Sequence, residues 1–264
     1  MRSVYAHKTV TRGDAGNLGD MMGFHIADWI LGPDAYTRQG MRQKETLDGD
    51  TVALVGSLVA ALAESPARIV GGGLINGNTR RYGAEVRIEA VRGFLTQALV
   101  ERDAKQLPAV IGDPGLLLPR ISPMTPSEER RPLGFIVHDV DREEFTRLYP
   151  GQVADIVDNY APRDEFVAQL SRYRAIASTS LHGCIFAHAY GVPVAPFVLT
   201  DKVFGGDFKF RDHYSVFGID VRRAQLAGSP EDLLCTVLEC PQPPAGKVAD
   251  LMDRQLEVIT AALR

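Results

Sequence analysis

Short runs of β-branched residues alternate with helix-period segments over most of this chain, and polar, glycine-rich loops follow several of the runs. Residues 51–55, 86–91 and 194–198 predict buried strands, whereas residues 21–31 and 247–263 predict helices. Strands that alternate with helices are typical of parallel sheets covered by helices. The sequence therefore predicts an α/β fold.

A proline-rich segment interrupts this alternation. Residues 119–132 contain four prolines, several charges and little periodicity, as a linker would. We therefore predict two α/β domains, residues 1–120 and 121–264, with a ligand cleft between them at the carboxyl ends of the strands. Further strands are predicted at 4–10, 67–70, 109–111, 133–137, 154–157 and 175–177, and further helices at 57–64, 93–102, 164–173, 181–190 and from 229–231 onward.

Composition narrows the function classes. The formal net charge of -4 argues against a nucleic-acid partner, because such proteins need a basic face. The three cysteines show no C-x-x-C pairing, so neither a disulfide framework nor a metal site is expected. The N-terminus lacks the apolar core of a signal peptide, and the longest apolar run is too short to span a bilayer. We expect a cytoplasmic protein, with at most peripheral membrane contact.

Two polar loops lie in the first part of the chain. The loop 17–20 precedes a predicted helix, and Asn17 and Gly19 are placed where backbone N–H groups bind anions. Asp20 is alternatively a plain N-cap of that helix, which the spacing favours. The loop 71–77 contains three consecutive glycines and Asn76 but not the G-x-G-x-x-G spacing, so a turn is about as well supported as a ligand loop.

Two further loops carry charged residues after predicted strands. Arg92 ends a buried strand and therefore needs an anionic partner, which is either a ligand or a carboxylate of the protein. Asp113 lies in a Gly-Asp-Pro-Gly segment, where aspartate and proline also serve to shape a turn.

The second half of the chain contributes residues 178–183, which join a strand to a helix. Hydroxyl groups and free N–H groups at a helix start predict an anion site. His182 lies in the first turn, where an imidazole can donate to a phosphate or transfer a proton, although a structural histidine is the usual alternative. Residues 205–214 then combine cations, acids and aromatic rings, as a solvated loop or a sugar-binding lip would. From its residues alone, the chain is an anion-binding α/β protein with a cleft.

Taken together and in order, these segments resemble the polysaccharide pyruvyl transferase family, especially the xanthan and succinoglycan ketal pyruvyl transferases. The resemblance implies two Rossmann-like domains in a GT-B-like arrangement, phosphoenolpyruvate as donor, and an oligosaccharide or lipid-linked saccharide as acceptor. It implies no cofactor and no metal. The matching segments are 17–20, 71–77, 91–96, 112–117, His138, 178–193 and 208–212.

Given this resemblance, we hypothesise roles for individual residues, with Asp20 preferred over Asp113 as base. His182 is the candidate general acid or phosphate contact, and Asp20 or Asp113 is the candidate general base. The candidate substrate-binding residues are Asn17, Gly19, Asn76, Arg92, Ser180, Leu181, Gly183, Lys209, Arg211 and Asp212.

The chain departs from the family pattern at three positions. Many members have arginine where this chain, like the members most similar to it, has Ser180, so Arg92 or Lys209 must supply the missing cation. His188 replaces a frequent acid and His213 a frequent tyrosine, which leaves the acceptor open. Two other functions remain as alternatives: a GT-B nucleotide-sugar glycosyltransferase, and a non-catalytic polysaccharide-binding module, which would have no need to bring Arg92, His182 and Lys209 together.

Overall fold

The computed structural model describes residues 3–6, 11–12, 15–40, 47–78 and 81–264. The strands are β1 (Ser3–Tyr5), β2 (Thr11–Arg12), β3 (Ala15–Gly16), β4 (Thr37–Gln39), β5 (Thr51–Ala53), β6 (Arg68–Val70), β7 (Arg87–Val91), β8 (Val110–Ile111), β9 (Arg131–Ile136), β10 (Tyr173–Ser178), β11 (Val194–Val198) and β12 (Ala224–Gln225). The helices are α1 (Leu18–Leu31), α2 (Phe94–Ala104), α3 (Leu118–Ile121), α4 (Arg142–Leu148), α5 (Arg163–Leu170), α6 (Leu181–Ala189), α7 (Phe208–Ser215), α8 (Pro230–Glu239) and α9 (Ala245–Leu263).

These strands form two parallel sheets, which confirms the predicted α/β class. The first sheet has six strands in the order β4-β1-β5-β6-β7-β8, and the second has four in the order β12-β11-β10-β9. Every strand pair within these two sheets is parallel, and the short pair β2–β3 is antiparallel. The runs of apolar residues in the central strands are buried, as expected for sheets covered by helices.

The last helix returns to the first sheet. Gln255 of α9 donates a hydrogen bond from Nε2 to the carbonyl oxygen of Gly112 at 2.7 Å, and Arg68 of β6 donates to the carbonyl of Ala262 at 3.0 Å. One core of buried apolar side chains contains residues from both sheets as well as α9. The predicted domain boundary at residues 120 and 121 falls between β8 and β9 and stays a prediction.

Most predicted elements are present, and three are wrong. Residues 57–64 form turns rather than a helix, in a segment bounded by Gly56 and Pro66 that favours turns. The predicted strand 154–157 is mostly a 3₁₀ helix, Pro150–Asp155, after which Ile156 forms one isolated bridge. Residues 205–214 include α7 and are therefore not only a loop.

Residues 7–10 of the first predicted strand and residues 13–14 lie outside the described residues. Within the described ranges, no helix is both long enough and apolar enough to cross a membrane.

Candidate functional site

The polar loops of the second sheet meet at the carboxyl ends of β9 and β10. The backbone N–H of His138, which follows β9, donates to Thr179 Oγ1 at 2.8 Å, and the N–H of Thr179 donates to the carbonyl of Ile136 at 3.0 Å. These bonds hold the loop after β9 against the loop after β10. The first turn of α6, which carries His182, follows at once. Helix N-termini at this edge of a parallel sheet are where anionic ligands bind.

His182 packs against the start of α1. A Cβ atom placed on Gly19 would lie 2.0 Å from His182 Nδ1, so only glycine at position 19 allows this contact. The ring stacks on Phe186 with centroids 5.9 Å apart, and its buried Nε2 has no hydrogen-bond partner in the described part of the chain. Burial, and secondarily the charges of Arg92 and Lys209, lower the pKa of His182 to about 3. In the free protein His182 is therefore a neutral imidazole with one unengaged nitrogen.

After Arg92, Lys209 is the cation whose charge lowers the pKa of His182 most. It belongs to α7, its residue surface is only 7% exposed, and its ammonium lies 5.7 Å from the centroid of the Phe210 ring. Burial, followed by the charges of Arg92 and Arg223, lowers the pKa of Lys209 to about 8. Among the described residues, no carboxylate oxygen lies within 4.0 Å of its ammonium nitrogen. A largely buried cation without an ion-pair partner among the described residues is costly, so this geometry favours an anion beside Lys209.

Two acids and a second histidine interact electrostatically with this lysine. The charges of Asp141 and Asp20 raise the pKa of Lys209, in opposition to the stronger effects that lower it. Burial, and then the charge of Lys209, lower the pKa of His138. Lys209, His138 and His182 therefore form one cluster, which we call the basic cluster, with Asp20 and Asp141 at its margin.

Asp20 lies in the first turn of α1 and is not its cap. Asn17 is the N-cap, since its Oδ1 accepts a hydrogen bond from the N–H of Gly19 at 3.0 Å. The interpretation of Asp20 as a plain N-cap is therefore wrong. Its carboxylate is partly exposed and acts electrostatically on Lys209.

Arg92 and Asp212 are paired with each other. The guanidinium Nε donates to Asp212 Oδ2 at 3.0 Å, and both side chains are 0% exposed. The other two guanidinium nitrogens donate to Ser57 Oγ and to the carbonyl of Leu74. Asp212 also accepts from the N–H and the hydroxyl of Thr96 at 2.8 and 2.7 Å. This network joins the end of β7 to α7. The anion that pairs with Arg92 is therefore a carboxylate of the protein itself.

Close backbone approach makes this pair possible. A Cβ atom on Gly73 would lie 2.3 Å from Arg92 Cζ, and one on Gly93 would lie 1.8 Å from the carbonyl oxygen of Asp212. The glycines after β6 and β7 therefore serve this packing.

Asp113 is buried, and the charges that act on it are those of Arg92 and Asp212. Its Oδ1 accepts from the N–H of Gly115 at 2.8 Å and caps the 3₁₀ helix Pro114–Leu117. Burial outweighs the opposing effect of Arg92 and raises the pKa of Asp113 to about 6. Its Oδ2 has no partner within the described residues.

The remaining predicted residues divide into two groups. Ser180, Leu181 and Gly183 form the start of α6, and the N–H of Ser180 donates to Ser178 Oγ at 3.1 Å. Asn76 lies in a loop whose Gly77 approaches the ring of Phe208, next to Lys209, and Arg211 lies on the same helix as Lys209. Asn76 accepts from the N–H of Asn78 at 3.1 Å in the loop after β6, and Arg211 is 45% exposed and pairs with Asp220.

His188 and His213 are also brought together. His188 Nδ1 and His213 Nε2 are 3.0 Å apart, and both rings are buried between α6 and α7. Burial lowers the pKa of both histidines. The two departures from the family pattern are therefore one interacting pair.

Sequence reasoning missed Asp141 and the participation of His138 in the basic cluster. Position after a predicted strand was the signal available for His138, because carboxyl ends of neighbouring parallel strands share one edge of the sheet. Nothing local marks Asp141, which lies in the 3₁₀ helix Asp139–Asp141 and accepts from the hydroxyl of Thr200.

Comparison with known proteins supports the resemblance found in the sequence. Residues 90–200 match the polysaccharide pyruvyl transferase family. The chain is 33% identical over 178 residues to an uncharacterized protein, L143, of Acanthamoeba polyphaga mimivirus, a match that covers 63% of this chain and 60% of the viral protein. It is also similar to the crystal structure of the uncharacterized protein KP1_0663 from Klebsiella pneumoniae subsp. pneumoniae NTUH-K2044, with 13% identity, coverage of 86% of this chain and 93% of the other, and a TM-score of 0.44.

Proposed function

We propose that this chain, whose residues 90–200 match the polysaccharide pyruvyl transferase family, is a ketal pyruvyl transferase that uses phosphoenolpyruvate as donor and a sugar of a polysaccharide as acceptor. One observation carries the donor assignment. Lys209 is a buried cation without an ion-pair partner among the described residues, and it lies in one electrostatic cluster with His182 and His138. A small dianion such as phosphoenolpyruvate supplies the missing negative charge.

The donor site is built from charge and from hydrogen-bond donors. Phosphoenolpyruvate carries a phosphate and a carboxylate, so its site needs several donors. Lys209 supplies the cation, the N–H groups at the start of α6 supply backbone donors, and neutral His138 and His182 supply further ones. Arg92 acts at longer range, since Asp212 already holds its guanidinium.

The reaction needs a general acid and a general base. The methylene carbon of phosphoenolpyruvate accepts a proton, the adjacent carbon becomes oxocarbenium-like, and a sugar hydroxyl adds there and loses its proton. Phosphate then leaves with the electron pair of its C–O bond, and a second hydroxyl adds to the same carbon and gives its proton to the released phosphate, which closes the ketal. A dianion bound beside His182 raises the pKa of this imidazole, which then carries the proton for the methylene carbon. Asp20, whose partly exposed carboxylate acts on Lys209, accepts a hydroxyl proton.

Three wider features belong to the same proposal. The two parallel sheets are compatible with two Rossmann-like domains in a GT-B-like arrangement, divided near residue 120. The acceptor is carried on a lipid, with peripheral contact at the inner face of the cytoplasmic membrane. The protein acts in the cytoplasm and requires neither a cofactor nor a metal.

Phosphate release from phosphoenolpyruvate, measured with and without lipid-linked oligosaccharide acceptors, tests the proposal. We expect acceptor-dependent release in the wild type and pyruvate bound to the sugar product. Lys209→Met should weaken phosphoenolpyruvate binding at least tenfold, because a hydrogen bond to a charged group contributes about 1.5–3 kcal/mol. Lys247→Met, which removes an exposed lysine of α9, is the matched control.

Two results would count against the proposal. Equal phosphoenolpyruvate affinity in Lys209→Met and Lys247→Met would remove Lys209 from the donor site. A thermal shift with nucleotide sugars but none with phosphoenolpyruvate would favour the glycosyltransferase alternative.

A further inference from the structure

A cavity lies between α1 and the segment that leads into α5. Its volume is about 540 Å³, within the range of small-ligand sites. Leu18, Met21 and His25 of α1 form one wall, and Tyr160 and the Arg163–Asp164 pair form the opposite wall. The cavity is therefore lined by α1, in the first half of the chain, and by residues 160–164, in the second half.

The lining is mostly apolar, and the charges of its described residues cancel. Arg163 donates to both carboxylate oxygens of Asp164 at 2.8 and 3.1 Å, so these two charges neutralise each other. Burial, followed by the positive charge of Arg163, lowers the pKa of His25 and keeps it neutral. The basic cluster contains an uncompensated cation and suits an anion, whereas this cavity suits a neutral ligand.

The side chains of this cavity match the chemistry of a sugar. A neutral imidazole has one donor and one acceptor nitrogen, so it matches a hydroxyl group, which also donates and accepts hydrogen bonds. The ring of His25 has no hydrogen-bond partner among the residues that the structure describes. The Tyr160 ring, Met21 and Leu18 provide apolar surface for the C–H face of a pyranose. Few precisely placed polar groups on an apolar wall are the usual form of a small-ligand site.

The cavity adjoins the proposed donor site through two neighbouring residues. Leu18 lines the cavity, and the next residue, Gly19, contacts the ring of His182. The N–H of Leu18 donates to the carbonyl of Asn159 at 2.8 Å, which fixes this start of α1 against the opposite wall. The cavity and the ring of His182 therefore both border the start of α1.

We infer that the cavity between α1 and residues 160–164 binds a neutral pyranose of the acceptor, with His25 and Arg163 contacting its hydroxyl groups. The inference rests on the proposed function, since it assigns the second substrate of the same reaction. It makes His25 and Arg163 determinants of acceptor choice, separate from the cations that hold the donor.

Ligand-observed NMR with methyl glycosides of galactose, glucose and mannose tests the site without requiring turnover. The wild type should bind at least one of the three glycosides, and His25→Ala and Arg163→Ala should weaken that binding at least fivefold. Arg147→Ala is the matched control, because Arg147 also pairs with a neighbouring acid, Glu144, but on α4 and away from the cavity. Circular dichroism and thermal melts check that each variant is folded.

The outcomes separate this inference from the proposed function. Absence of glycoside binding to the wild type, or equal binding by Arg147→Ala and both cavity variants, would overturn the inference. Phosphoenolpyruvate affinity, measured on the same samples, should be unchanged within twofold in His25→Ala. If phosphoenolpyruvate does not bind the wild type while the glycosides do, the proposed donor fails and the sugar site stands.

Discussion

Asp212→Ala should strongly destabilise this protein, because it leaves Arg92 buried without its counter-ion. The two side chains are 0% exposed, and Asp212 also accepts two hydrogen bonds from Thr96, at 2.8 and 2.7 Å. Removal of one partner of a buried ion pair costs about 3–5 kcal/mol. We expect a loss of about 4 kcal/mol in the free energy of unfolding, a large share of the roughly 5–15 kcal/mol typical of a domain.

Equilibrium unfolding in urea measures this change, with the slope m checked for two-state behaviour. Glu144→Ala is the control, since it breaks an exposed pair with Arg147 and should change the unfolding free energy by less than about 1 kcal/mol. The double replacement Arg92→Met with Asp212→Leu should recover part of the loss, because it removes both charges rather than leaving one unpaired.

The same series distinguishes a structural role of Arg92 from a ligand-binding role. If Asp212→Ala costs no more than Glu144→Ala, the buried pair does not stabilise the fold, and our assignment of Asp212 as the anion for Arg92 is refuted. A large cost together with weakened phosphoenolpyruvate binding fits the structure, because Asp212 anchors α7, the helix that carries Lys209.

Three further predictions concern the basic cluster and the histidine pair. The pKa of Lys209 is about 8, so phosphoenolpyruvate affinity should fall as pH rises through 8, and Lys209→Arg should bind with little pH dependence between pH 7 and 9 if the guanidinium fits. Gly19→Ala places a Cβ atom 2.0 Å from His182 Nδ1, so it should displace the imidazole ring and reduce turnover at least tenfold in steady-state kinetics. Turnover equal to that of the wild type would contradict this packing. The pKa values of His188 and His213 are lowered in the folded state, so the unfolded state binds more protons below pH 6.5. The contribution of these histidines to the free energy of unfolding should be full above pH 6.5 and should fall on acidification by up to about 1.4 kcal/mol per pH unit for each histidine. Urea unfolding that is unchanged between pH 7 and 5 would refute this.

Local sequence patterns were sufficient for much of the fold. The apolar run 194–198 is β11 as predicted, and Ser229-Pro230-Glu231 begins α8 with a capping box between Ser229 and Asp232. Such signals depend on neighbours within a few residues, which is why they can be read from one sequence. The same local reasoning failed at residues 57–64, where apolar spacing predicted a helix but Leu58, Val59 and Leu62 are buried through turns instead.

Local patterns also located the start of α6 and placed His182 in its first turn. They predicted that Arg92 must meet an anion, but they left a ligand and a protein carboxylate equally open. Asp212 is 120 residues further along the chain, and no periodicity or spacing relates the two positions.

The amino-acid sequence by itself determined the alternation of strands and helices, the parallel sheets that this alternation produces, and the polar loops at the strand ends. Only the tertiary structure decided which charges neutralise each other. Asp212 pairs with Arg92, and Lys209, three residues before Asp212 on the same helix, has no carboxylate within ion-pair distance among the described residues. The reason is physical: electrostatic pairing depends on distance and burial in three dimensions, and packing of α7 against α2 and the end of β7 sets both for Asp212.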